Sequence, residues 1–154
     1  MSIEQILPRN GVHVGLKANC KREVLSALAD AAAELTGEDR AAILDILLER
    51  EKLGTTGVGE GVAIPHGKIE NLSRIVGVFV SLEKPVDFDA VDGEPVDLFF
   101  LLLAPSNATA AHLKALAKVA RLLRDDQTRT SCREAESAEA MWAIATSERK
   151  SDAA

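Results

Sequence analysis

The sequence predicts a layered α/β domain in which a mixed β-sheet is flanked by helices. Three observations carry that expectation. Helix-periodic segments stand in front of, between and after the strand-like ones. Asp97 to Ala104 reads DLFFLLLA, an apolar run of strand length that is best accounted for as a central strand covered on both faces. The chain has 154 residues, 47% hydrophobic and 27% charged, which is enough for one substantial core and ordinary for a globular protein. One domain is expected over residues 1–154, with its core at about 3–147.

The elements follow in order. Asn19 is placed to cap a helix whose apolar positions Val24, Leu25, Leu28, Ala32 and Leu35 recur at helical spacing, and Gly37 closes it. A second helix starts after Thr36 or Gly37, with Glu38 and Asp39 at its positive end. Ile43, Leu44, Leu47 and Leu48 form its buried stripe, Arg50 and Lys52 sit in its last turn, and Gly54 ends it. Strands are predicted at Gly61–Ile64 and Ile75–Leu82, a turn at Glu83–Pro85, a short strand at Val86–Phe88 and a reversal at Asp92-Gly93. After Pro105 a long helix begins near Thr109, with Leu113, Leu116, Ala117, Ala120 and Leu123 facing inward. Two shorter helices follow at about 126–135 and 137–147, and residues 148–154 are expected to fray.

Composition narrows the function. A net charge of −6 without a basic cluster argues against nucleic acid as the main partner. The longest apolar run is too short to cross a bilayer, nothing resembles a signal peptide, and the two cysteines lie far apart, so the cytoplasm is expected. His13, His66, His112, Cys20 and Cys132 show no ligand-like spacing, so no metal site is assembled. Neither cysteine has a setting that lowers its pKa, and Ser73 and Ser106 lack a Gly-x-Ser-x-Gly elbow. His13 has no pattern around it.

The segment richest in chemistry is TGVGEGVAIPHGK, from Thr56 to Lys68. Gly57, Gly59 and Gly61 precede a short apolar stretch that delivers His66 between Pro65 and Gly67. Neither a Walker loop nor a dinucleotide fingerprint fits, because no Gly-Lys-Ser/Thr follows and a strand rather than a helix comes next. Pro65 fixes its own φ and biases Ile64 toward extended backbone, so the chain enters His66 stiffly. Two readings stand: a surface histidine in a turn, or a presented nucleophile.

Two further residues are candidate helpers. Arg50 either complements a helix dipole, worth about 0.3–1 kcal/mol, or clamps a phosphoryl group with its planar fork of donors. His112 lies in the first turn of the long helix, at the margin of the apolar stripe. It is either incidental there or a neutral ring, held so by the positive helix end, that donates one hydrogen bond to an oxyanion.

TGVGEGVAIPHGK, the preceding LLEREKLGTTG, the segment PVDFDAVDGEPVDLFFLLLAP and the later AHLKALAKVARLL resemble, in that order, the enzyme IIA domains of the bacterial phosphotransferase system. The likeness is to the fructose/mannitol class and, within it, to the nitrogen-regulatory branch. It spans about Ile3 to Ala145. It implies that His66 is phosphorylated on a ring nitrogen, with Arg50 stabilising phosphate and His112 donating or orienting. Local backbone N–H groups from Thr56, Gly57, Gly59, Gly61 and Gly67 are expected to help, and a backbone carbonyl near the glycine run to anchor the other ring nitrogen. The donor would be an HPr-like phosphocarrier, and no metal or organic cofactor is needed because the N–P bond passes from ring to ring. No second domain or acceptor cysteine loop is recognised, which favours a regulator acting on target proteins. Two alternatives remain: a sugar-transport enzyme IIA that passes phosphate to a IIB cysteine, and an interaction module that is never phosphorylated.

Overall fold

The computed structural model describes residues 1–147. The expected fraying at 148–154 lies outside the described residues. The strands are β1 (Val12–Leu16), β2 (Gly57–Gly59), β3 (Val62–Ala63), β4 (His66–Ile69), β5 (Val76–Val86) and β6 (Val96–Pro105). The helices are α1 (Ile3–Ile6), α2 (Lys21–Thr36), α3 (Arg40–Lys52), α4 (Thr109–Arg124), α5 (Asp126–Glu134) and α6 (Ala138–Thr146).

The sheet is mixed, in the order β1-β5-β6-β3-β2, with β4 also paired to β6. β5 and β6 run antiparallel, whereas β1 is parallel to β5, and β3 and β4 are both parallel to β6. The apolar run is therefore central, as its composition demands. Alternation along β6 splits the core in two. Phe99, Leu101 and Leu103 pack with α2 and α3, while Leu98, Phe100, Leu102 and Ala104 pack with α1, α4 and α6. Among the described residues no helix is long and apolar enough to cross a membrane.

β3 and β4 lie end to end along one edge of β6: Val62 pairs with Leu98, and His66 pairs with Leu102. The break between them is Ile64-Pro65. Pro65 has no N–H to give, but its carbonyl accepts from Leu102 N at 2.9 Å, so the ladder continues past it.

The glycine run is not a loop that opens toward a ligand. β2 and β3 form a hairpin, with Glu60 (φ 58°) and Gly61 (φ 75°) as its two-residue turn, the positive-φ signature of a type I′ connection. A Cβ on Gly57 would sit 2.9 Å from both Cα and Cβ of Ala90. Gly57→Ala is thus expected to cost about 1–3 kcal/mol through overpacking. Urea titration should show a lower midpoint at unchanged slope.

Other expectations are corrected. The residue before α2 is Cys20, with no side-chain cap; Asn19 instead donates its N–H to Glu23 Oε1 at 2.8 Å. The second helix starts only at Arg40, beyond Glu38 and Asp39, because the Asp39 carboxylate caps it by accepting Ala42 N–H at 2.9 Å. No turn interrupts Glu83–Pro85. β5 runs on to Val86, and a register shift between Ser81 and Val86 accommodates Pro85, while Phe88 is buried outside any strand. The inward face of α4 is His112, Ala115, Val119, Leu122 and Leu123; Leu113 and Ala117 are exposed. α1, β1, β2 and β4 have no counterpart among the elements the sequence predicts.

Candidate functional site

α3, β4 and α4 meet around a cleft of about 460 Å³ that Arg50, His66, Gly67 and His112 line together. Packing dictates this meeting. A side chain on Gly67 would collide with Ile46 of α3, so the glycine is what lets that helix close on β4 and carry Arg50 to His66. His66 stands opposite Leu102 in the ladder, and Leu102 belongs to the core under α4, which is why the imidazole faces His112. Lys68 Nζ donates to Thr109 Oγ1 at 3.1 Å and ties β4 to the first turn of α4.

The hydrogen bonds define the state of the ring. His66 Nδ1 lies 2.8 Å from Ile64 O, and a carbonyl only accepts, so Nδ1 carries the proton. Arg50 Nε donates to His66 Nε2 at 3.3 Å, and a guanidinium only donates, so Nε2 offers its lone pair. The ring is the neutral Nδ1–H tautomer. Arg50 also holds the end of its own helix, through Nη1 to Gly54 O at 2.9 Å, while its Nε reaches His66.

His112 meets His66 edge to face, with centroids 5.5 Å apart and planes at 75°. It is buried, not at the margin of the helix face, and its Nε2 has no hydrogen-bond partner among the described residues. Burial lowers its pKa, and His66 and Lys68 add to that. Burial also lowers the pKa of His66; the Ile64 carbonyl and the Glu51 charge oppose this, and the Arg50 charge reinforces it. Both rings are thereby kept neutral. Exposed Leu53 and Leu113 stand beside the cleft as an apolar rim.

The glycines separate. Gly67 lines the cleft, but Gly57 faces Ala90, Gly59 faces Asp92, and Gly61 faces Arg133 and Asp97. Thr56 is buried beneath the site, not in its lining. Cys20, exposed at the start of α2, and buried Cys132 do not line it either. His13 pairs with Val80 in the sheet. Among the described residues no three His, Cys, Asp or Glu side chains come together as a metal site.

Comparison with known proteins identifies the family and the fold. Residues 5–147 match the family described as phosphoenolpyruvate-dependent sugar phosphotransferase system, EIIA 2. The chain belongs to the EIIA 2 family. It is 50% identical over 144 residues to a nitrogen regulatory protein of Bradyrhizobium diazoefficiens, covering 94% of each chain. Among solved structures, this EIIA chain is similar to the nitrogen regulatory protein IIA-Ntr of Neisseria meningitidis at a TM-score of 0.88. That match has 38% identity and covers 94% of this chain and 99% of that one. The mannitol IIA of Escherichia coli shares the fold, with TM-score 0.74 and 21% identity over 89% of this chain and 96% of that one. Sequence reasoning did not find the rim of this EIIA site. Leu53 follows a helix and Leu113 was assigned to the core; the signal available was that α4 has more apolar residues than one buried face can use.

Proposed function

We propose that His66 accepts a phosphoryl group on Nε2 from the phosphohistidine of an HPr-like phosphocarrier, and that its phosphorylation state governs binding to regulatory target proteins. The observation that carries this is the tautomer: the nitrogen holding the lone pair is the one beside a guanidinium in the cleft. Nε2 attacks phosphorus, the donor's N–P bond breaks, and the donor ring leaves as neutral imidazole with the proton it already holds on its far nitrogen. The product ring of His66 bears phosphorus on Nε2 and its proton on Nδ1, so it is cationic, and the Ile64 carbonyl stabilises it. Arg50 then turns its donors to the equatorial oxygens, and the unpartnered Nε2 of His112 supplies another hydrogen bond in its N–H form. Gly67 keeps the approach open.

Near-full-length identity to nitrogen regulatory proteins favours the regulatory reading over delivery to a IIB cysteine. Incubation with phosphoenolpyruvate, enzyme I and an HPr-like protein, read by intact mass, is expected to add one phosphoryl group. An unchanged mass, under conditions that phosphorylate a control enzyme IIA, would leave the chain as an interaction module. His112→Ala is expected to slow the same reaction roughly tenfold, the low end of what one hydrogen bond to a charged oxygen contributes. A wild-type rate in a rapid-quench time course would remove His112 from the phosphate's surroundings.

A further inference from the structure

Arg50 and Glu51 are neighbours at the end of α3, yet they reach the same imidazole from opposite sides. Arg50 touches Nε2 directly. The Glu51 side chain is 6% exposed and turns inward, where Oε1 accepts Thr56 N–H at 3.1 Å and Oε2 accepts the Thr56 hydroxyl. Thr56 O accepts Ile64 N–H at 3.0 Å, and Ile64 O accepts the proton on His66 Nδ1 at 2.8 Å. Lys21 Nζ, 3.0 Å from Glu51 Oε1 and 4.6 Å from the centre of the Phe88 ring, holds the carboxylate in place from α2. Thr56 itself is 4% exposed, so each link is shielded from competing water.

We propose that Glu51 is a positioning residue that fixes the Nδ1–H tautomer of His66 through Thr56 and Ile64. This rests on the phosphoryl-acceptor reading above, because only that tautomer leaves Nε2 free to attack. The relay is specific in direction. The carboxylate accepts from both the N–H and the hydroxyl of Thr56, which pins that residue at two points in front of Ile64. The Thr56 carbonyl anchors Ile64 by accepting its N–H, and the Ile64 carbonyl, held on that anchored residue ahead of Pro65, chooses which ring nitrogen is protonated. The Glu51 charge also favours the cationic ring that phosphorylation creates. Among the described residues, the other charged or titratable groups around the His66 cleft are Glu49 and Arg50 on α3, His112 on α4 and Lys68 on β4.

The test is long-range ¹H–¹⁵N NMR of the ring nitrogens in the unphosphorylated full chain, alongside its rate of phosphorylation. Glu51→Ala is expected to populate the Nε2–H tautomer and to slow phosphorylation roughly fivefold to tenfold. Glu51→Gln keeps an oxygen for Thr56, so it should retain the tautomer and most of the rate. It loses the charge, so the pKa of His66 should fall. A folded Glu51→Ala protein with the Nδ1–H tautomer and the wild-type rate would overturn the proposal. If Glu51→Ala does not fold, the pKa of His66 in Glu51→Gln decides: a fall supports the role, and no change overturns it. The tautomer is read without a phosphoryl donor, so a wild-type chain that takes up no phosphate would defeat the proposed function separately.

Discussion

His66→Ala is expected to take up no phosphate at all, while its fold survives. The chemical argument is that Nε2 of this ring is the lone pair the site presents; the second imidazole, His112, is buried and lies across the cleft. The structural argument is that His66 is only half-buried and belongs to neither apolar core. Its removal forfeits the bonds to Ile64 O and from Arg50, a loss of about 1–2 kcal/mol that a domain of this size tolerates. Circular dichroism and urea titration check the fold, and intact mass checks the label. Label appearing at the wild-type rate, mapped by peptide mass to any other residue, would overturn the assignment.

Arg50→Ala is expected to slow phosphorylation roughly tenfold to a hundredfold, because charge-assisted hydrogen bonds to the moving phosphoryl group contribute about 1.5–3 kcal/mol. A second effect has a definite sign. The guanidinium charge lowers the pKa of His66, so its loss should raise that pKa and shift the acid limb of the rate profile to higher pH. Arg50→Lys separates the two contributions: the charge stays, which keeps the pKa low, but the planar fork is gone, so transfer remains slow. A wild-type rate for Arg50→Ala across the pH range would leave Arg50 only its bond to Gly54 O at the helix end.

What could be read from the sequence tracks how local the determining forces are. DLFFLLLA has no polar face, so a central strand was the available solution, and β6 is that strand. The stripe Ile43, Leu44 and Leu47 is buried as its spacing requires. Arg50, His66 and His112, singled out by the resemblance, line one cleft, and their roles there are the proposal. The misreadings have a common cause in distant partners. β1 is short and exists because Val12 and His13 pair with Phe79 and Val80, far along the chain. The face of α4 was misjudged because Leu113 and Ala117 are apolar by type but exposed, whereas the polar His112 is enclosed by β4. The glycines read as a phosphate loop instead answer to Ala90, Asp92 and Asp97, which sequence spacing does not bring near.

The ladder from His66–Ile69 to Leu102–Pro105 has a dynamic consequence. The backbone carrying the imidazole can detach only by uncovering one edge of the innermost strand, which ties local opening at His66 to the apolar core. The side chains with the most open space beside the nitrogen are the exposed Leu53 and Leu113. On the proposed function, an incoming phosphocarrier is expected to meet an imidazole whose backbone is held by the sheet, with Leu53 and Leu113 as the apolar groups it touches first.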